Sequence, residues 1–323
     1  MRKAQSKLDR MYVLEMVRVT EAAAMAASKL TGRGDEKAAD AAAVAAMRES
    51  LNDLDVSGTV VIGEGERDEA PMLFIGEEVG NGNGPEIDIA LDPLEGTTIT
   101  AKAGQNAMAV LAISEKGCLL NAPDVYMQKV AIGPGYPEGI VDLDASPGDN
   151  VKALAKAKGV DVSEIMACVL DRPRHEKIIK ELREVGCGIK LIPDGDVAGV
   201  IAVTDPTDTG MDIYMGAGGA PEGVLAAAAL RCIGGQMQGR LLFRNDDERA
   251  RARKWGIEDL DRKYDMKDMA RGDIIFAASG VTDGPLLDGV HRCPDGVWKT
   301  HSVVMRAASG TVRYVRGEHR IHP

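Results

Sequence analysis

Aromatic residues are scarce: Trp, Tyr and Phe together make 3% of the 323 residues. The interior therefore has to be filled by Ala, Val, Ile, Leu and the 15 Met rather than by packed rings. Long apolar runs are missing too. The most apolar stretches are broken by Gly or charge, and none reaches the roughly 18–20 residues a membrane span requires, so no membrane partner is expected. No apolar stretch follows Met1-Arg2-Lys3-Ala4-Gln5, so no signal peptide is expected. The five cysteines, Cys118, Cys168, Cys187, Cys232 and Cys293, are scattered without C-x-x-C spacing. Reduced thiols in a cytoplasmic protein are expected. Positive charge is in deficit: the formal net charge is -11. That argues against a nucleic-acid partner, which selects a basic face. It leaves room for a small anionic substrate, because a few local Lys and Arg, or a bound cation, can reverse the field inside one cleft.

What is present reads as alternating structure. Residues 8–30 have helical spacing, with Leu14, Val17, Ala24 and Ala27 on one side, and Thr31-Gly32-Arg33-Gly34 ends them. Asp35 is placed to cap a second helix running to about Ser50. Val60-Val61-Ile62 and Ile87-Asp88-Ile89-Ala90-Leu91 read as strands, as do segments near 107–113, 125–132, 189–192, 212–215, 274–278, 299–307 and 311–316. Helices are expected over 149–158, 173–185 and 222–232, and the charge-rich stretch 244–271 as a solvated helix. Interleaved strands and helices predict an α/β or layered α+β fold. The break between halves falls best near Ser146-Pro147-Gly148, giving an N-terminal half of 1–146 and a C-terminal half of 147–323.

Acidic residues recur where strands end: Glu64, then Asp92 with Glu95, then Asp194 with Asp196. Asp40 lies within a helix and Glu222 opens another. Carboxylates gathered at strand ends repel one another unless a cation sits among them, and Mg²⁺ or Mn²⁺ takes such oxygen ligands. Asp92-Pro93-Leu94-Glu95-Gly96-Thr97 is the most informative stretch. Pro93 should turn the chain out of its strand, setting Asp92 and Glu95 one turn apart and facing one site. The Leu94 carbonyl could join them. Gly96 permits close approach of backbone to a phosphate, and Thr97 offers a hydroxyl to hold a nucleophilic water. On these residues alone a simple capped turn, with Asp92 and Thr97 as local hydrogen-bonders, reads equally well.

That hexapeptide resembles the Asp-Pro-Ile/Leu-Asp/Glu-Gly-Thr/Ser signature of the lithium-sensitive sugar and inositol phosphatase superfamily. Its surroundings narrow the likeness. Ile62-Gly63-Glu64-Gly65-Glu66, Asp68-Glu69-Ala70-Pro71-Met72-Leu73 and Asp171-Arg172-Pro173-Arg174-His175 resemble the class II fructose-1,6-bisphosphatases of bacteria. So do Asp194-Gly195-Asp196, Gly218-Gly219-Ala220-Pro221-Glu222-Gly223 and Gly280-Val281-Thr282-Asp283-Gly284, in order along residues 9–318. The resemblance implies a sugar-phosphatase fold of alternating α-β-α-β-α layers, both halves forming one catalytic unit. It implies metal-dependent hydrolysis of fructose 1,6-bisphosphate to fructose 6-phosphate and phosphate, a step of gluconeogenesis. Mn²⁺ or Mg²⁺ would be held by Asp40, Glu64, Asp92, Glu95 and Glu222. Thr97, Asp68 and Glu64 would serve the attacking water. Substrate contacts implied are Glu95, Gly96, Thr97, Tyr126, Arg172, Pro173, Arg174, Asp194, Gly195, Asp196 and Gly219. Self-association as a dimer or tetramer is expected. Sedoheptulose 1,7-bisphosphate is the alternative substrate, and a non-catalytic sugar-phosphate sensor a remote one.

The likeness has one visible departure. The family often has Lys directly after Gly-Arg-Gly-Asp, whereas this chain reads Gly32-Arg33-Gly34-Asp35-Glu36-Lys37, so no catalytic role is expected of Lys37. Ile75-Gly76-Glu77-Glu78 could be mistaken for the Glu64 loop. Gly80-Asn81-Gly82-Asn83-Gly84 reads as a connector rather than a phosphate loop, and His175, His291 and His301 show no metal spacing.

Overall fold

A computed structural model of the chain describes residues 8–63 and 72–320. It begins with helices α1 (Tyr12–Ser28) and α2 (Glu36–Asn52), then β1 (Ser57–Ile62), β2 (Glu78–Val79), β3 (Glu86–Glu95), α3 (Thr97–Ala101) and β4 (Met108–Glu115). Next come β5 (Tyr126–Ile132), α4 (Pro147–Lys158), β6 (Met166–Leu170), α5 (Glu176–Val185), β7 (Gly188–Ile192), α6 (Asp196–Ala202), α7 (Pro206–Thr209) and β8 (Ile213–Gly219). They are followed by α8 (Ala220–Ile233), β9 (Gln236–Leu242), α9 (Asp246–Lys254), β10 (Lys263–Asp265) and α10 (Met266–Met269). The chain ends in β11 (Ile274–Gly280), β12 (His291–Arg292), β13 (Val297–Arg306) and β14 (Thr311–Arg320). The class is mixed α/β, as the interleaving predicts.

These elements form two compact units. One takes the chain up to Leu120 and from Arg271 onward, the other Asn121–Ala270. The first holds an eight-stranded sheet in the order β12-β13-β11-β4-β3-β1-β2, with β14 on β13. β1 runs parallel to β3, while β3 with β4 and β11 with β4 are antiparallel. Helix α1 buries Met16, Val17, Ala23, Ala24 and Ala27, whereas Leu14, expected on that face, is 53% exposed. Buried hydroxyls tie this helix to the sheet: Thr20 Oγ1 meets Ser279 Oγ at 2.7 Å, which meets Ser302 Oγ at 2.7 Å. Helix α2 starts where its cap predicts, Asp35 accepting from the Ala38 N–H at 2.9 Å.

The second unit holds a six-stranded sheet in the order β10-β9-β5-β8-β6-β7. Its core joins Val130, Ile132, Val151, Leu154, Val169, Leu182 and Ile213. The expected break at Ser146-Pro147-Gly148 is instead the start of α4. Ser146 accepts from the Asp149 N–H at 3.1 Å and Pro147 occupies the first turn, where its missing N–H costs nothing. The long solvated helix expected over 244–271 is also corrected. The stretch holds two short helices, Asp246–Lys254 and Met266–Met269, because Gly256 at φ 80 turns the chain, and Tyr264 then pairs with Gly239 of β9 as a buried strand residue. No helix among the described residues is long and apolar enough to cross a membrane.

Candidate active site

In the first unit, β3 does not stop at Leu91. It continues through Asp92, Pro93, Leu94 and Glu95, and its pairing with β4 slips between Asp92 and Glu95. The expectation that Pro93 breaks the strand is thus corrected: it sits in a β-bulge, where a residue lacking an N–H is tolerated. The bulge re-aims the side chains. Asp92 and Glu95 bring carboxylate oxygens within 4.8 Å of one another, although Glu95 is buried. Asp92 Oδ1 also accepts from the Leu94 N–H at 3.0 Å, so the local hydrogen bond of a capped turn and the convergence of acids coexist. Gly96 then adopts φ 91 and heads α3, which opens at the half-buried Thr97.

Asp40 lies on α2 and is only part-exposed, its Oδ1 shielded from solvent, unlike an ordinary solvated helix acid. Glu64 and Asp68 lie outside the described residues. Glu77 of the competing Ile-Gly-Glu is committed elsewhere: its carboxylate takes Arg48 Nε at 2.7 Å and the Phe74 N–H at 3.2 Å. The glycine-rich connector packs closely at its two ends, Gly80 and Gly84, and is exposed between them. A Cβ at Gly84 would lie 1.6 Å from the Asp55 carbonyl oxygen.

The second unit assembles its candidates at one end of its sheet. Tyr126 opens β5 and lies across from Gly219 of β8 and Leu242 of β9. Arg174 donates from Nε and Nη2 to the Ala217 carbonyl at 2.9 and 2.8 Å, and its guanidinium lies 4.9 Å from the Tyr126 ring centre. Arg172 is looser, 3.8 Å from the Asp194 carboxylate, and Pro173 begins the short turn that carries both arginines. Beneath them His175 is buried and neutral. Its Nδ1–H donates to the Leu170 carbonyl and its Nε2 accepts the Ala217 N–H, both at 2.8 Å. Burial pushes its pKa down, aided by Arg174.

Gly195, at φ 81, lies three residues past β7 and heads α6. Asp194 is part-exposed, but Asp196 is buried and ion-paired to the fully buried Lys129. Asp196 is therefore held by the protein rather than left open to a sugar hydroxyl. Lys129 had no signal in the sequence beyond its place in a strand that is mostly apolar. Glu222 stands in the first turn of α8. Its pKa is raised to about 7, by burial first and by the Asp196 carboxylate second, with Lys129 opposing both. Although the residue is partly exposed, Oε2 is shielded from water and has no hydrogen-bond partner among the described residues.

These donors suit a hard divalent cation. Asp92, Glu95 and Glu222 are all carboxylates, and a buried carboxylate oxygen without a hydrogen-bond partner is costly unless a cation meets it. A hollow of about 460 Å³ beside α5, lined by Asp171, Glu176, Lys180 and Arg183 among others, includes none of these acids.

The family model of bacterial, glpX-encoded fructose-1,6-bisphosphatase matches residues 10–319. A class 2 fructose-1,6-bisphosphatase 1 from Escherichia coli K12 is 46% identical over 326 aligned positions, covering 97% of this chain and 96% of that protein. Class 2 enzymes from Escherichia coli O6:H1 and Shigella flexneri match with the same 46% identity and coverage. Among solved structures, an inositol monophosphatase from Anabaena (Nostoc) sp. PCC 7120 is 12% identical, covering 60% of this chain and 71% of that one with a TM-score of 0.31.

Proposed function

The chain belongs to the bacterial, glpX-encoded fructose-1,6-bisphosphatases, a family of phosphatase hydrolases, and hydrolyses fructose 1,6-bisphosphate; we propose that it does so with Mg²⁺ or Mn²⁺ held by Asp40, Glu64, Asp92, Glu95 and Glu222. The observation that carries this reading is the bulge at Pro93, which turns Asp92 and Glu95 toward each other next to Gly96 and Thr97. When bound, a divalent cation supplies charge neutralisation on the phosphoryl oxygens and acidifies a nearby water.

The chain's own groups do the rest. Thr97, with Asp68 or Glu64, accepts hydrogen bonds from the attacking water and sets its direction for in-line displacement. Gly96, lacking a side chain, lets the phosphate approach the backbone. Arg172 and Arg174 hold the distal phosphate through charge-assisted hydrogen bonds, and Tyr126 lies beneath Arg174 as a platform. Asp194, Gly195 and Gly219 border the sugar, and Asp196 fixes Lys129 behind them. A cytoplasmic location fits five cysteines that are all free thiols. Self-association as a dimer or tetramer fits the exposed apolar Val312 and Tyr314 on one face of β14.

The test is phosphate release with each metal supplied. Replacing a residue that merely orients a metal ligand typically costs 10–100-fold, so Asp92→Ala should cost at least about 100-fold. Near-normal release from Asp92→Ala, with Mg²⁺ or Mn²⁺ present, would refute the scheme. Chelation with EDTA should abolish release, and metal add-back should restore it.

A further inference from the structure

Arg244 lies just past β9, two residues beyond Leu242, in the stretch that reads in the sequence as solvated charge. Its position is not that of a free surface side chain. The Arg244 guanidinium stands 5.2 Å from the centre of the Tyr126 ring, the ring that Arg174 approaches to 4.9 Å. Two guanidiniums therefore converge on one aromatic ring. Arg174 spends its Nε and Nη2 on a backbone carbonyl and makes no ion pair among the described residues. The positive charge at this ring is thus only partly neutralised, in a chain of net charge -11. Like charges gathered around one ring favour an anion that shares them.

Arg244 is also held in advance. Its Nε donates to Glu248 Oε1 at 2.6 Å, and its backbone N–H donates to Glu248 Oε2 at 2.7 Å. Glu248 is itself fixed, with a side chain 1% exposed and its N–H bonded to Asn245 Oδ1 at 2.9 Å. The side chain of Arg244 is nevertheless 61% exposed. A guanidinium that is both pinned and open to solvent loses little entropy when it captures a ligand. Nη1 makes no hydrogen bond to a described residue, and it can still donate.

We propose that Arg244 is a specificity-determining residue, the third guanidinium, with Arg172 and Arg174, that grips the non-reacting phosphate of the bisphosphate over Tyr126. This rests on the reading of Arg172 and Arg174 as distal-phosphate ligands. A phosphate monoester dianion has the oxygens to take several donors at once, and a fork-shaped cation suits it better than a point charge. The consequence is selectivity: Arg244 contributes only for substrates that carry a second phosphate.

The experiment compares kcat/KM on fructose 1,6-bisphosphate with kcat/KM on fructose 1-phosphate, for the wild type, Arg244→Ala, Arg244→Gln, Arg244→Lys and Arg174→Ala. Loss of a charge-assisted contact should lower the bisphosphate-to-monophosphate ratio roughly 10- to 100-fold in Arg244→Ala, chiefly through KM. Arg244→Lys, with charge but no fork, should lie between. Arg244→Gln, whose amide can still bond Glu248, reads the same ratio should the alanine variant fold poorly. A ratio unchanged in the Arg244 variants but lowered in Arg174→Ala overturns the role of Arg244 alone. A ratio unchanged in all of them overturns the distal-phosphate reading as well. Equal losses on both substrates, leaving the ratio intact, count as unchanged.

Discussion

Replacing Gly219 by Ala should separate folding from chemistry. A Cβ added at Gly219 would lie 1.8 Å from Glu222 Oε2, 2.5 Å from Cδ and 2.8 Å from Oε1. The carboxylate would have to retreat by about an ångström or more to reach ordinary contact. The backbone has no objection to alanine, since Gly219 is extended at φ -63 and ψ 147. The obstructing atoms are the far end of a flexible side chain, so the fold can relax, and alanine even stiffens the unfolded chain by about 0.4–1 kcal/mol. Stability should therefore change by less than about 1 kcal/mol. Activity should not be spared, because displacing a catalytic group by about 1 Å can cost on the order of 100-fold. The assay pairs urea unfolding with calorimetric titration of Mg²⁺ or Mn²⁺ and with phosphate release. The expected result is near-native unfolding, weakened metal binding and about 100-fold slower release. Native metal affinity with native release would refute both the placement of Glu222 as a ligand and the role of Gly219 in aiming it. Gly218→Ala supplies the contrast. Its Cβ would meet Asp196 Oδ2 at 2.0 Å, and Asp196 cannot swing away without leaving the buried Lys129. That variant should lose roughly 1–3 kcal/mol of stability by overpacking.

Two further outcomes follow from the local chemistry. His175 is held neutral in the fold with its pKa below the ordinary 6.5. Its contribution to stability is complete above the unfolded value and is lost as pH falls through the lower folded value, so the melting temperature should decline on the acid side of about pH 6. His175→Gln should flatten that decline, and identical pH profiles for the two proteins would exclude His175 as its source. Asp35→Ala removes the cap of the helix that carries Asp40 and should cost about 1 kcal/mol in urea unfolding, with the slope of the transition unchanged.

Much of this architecture is legible where local signals decide it. The Asp35 cap, the strand delivering Asp92 and the helix opened by Pro221 and Glu222 all rest on neighbours a few residues away. What is illegible depends on partners far along the chain. The first sheet is closed by β11 and β13, which return from beyond residue 270 to pair with β4 and with each other, and no local pattern announces that return. The Ser146-Pro147-Gly148 triplet has linker composition, yet the same residues make a helix start. Charge density hid Arg244, because a run of mixed signs reads as solvated surface until Glu248 and Tyr126 are seen to hold one member of it. Lys129 was hidden in a mostly apolar strand for the opposite reason: its partner Asp196 lies 67 residues away.

The structure also explains why acids and glycines travel together in these motifs. Gly96 and Gly195 are both left-handed residues at the junction of a strand with a following helix, at φ 91 and φ 81. A side chain at either would cost roughly 1–2 kcal/mol. Each glycine immediately precedes the first residue of its helix, with an acid beside it, Glu95 before one and Asp196 after the other, so the turn of the backbone sets where that acid starts from. The second glycine device differs: Gly218 and Gly219 leave room for carboxylates that lie against the backbone. Conserving the acids while filling either kind of glycine would keep the charge and lose its aim. A motif of acids alone would therefore be a poor guide to this site. The glycines carry the information about where the charge points, and that is why Asp92 to Thr97 is specific only when Gly96 is read as part of it.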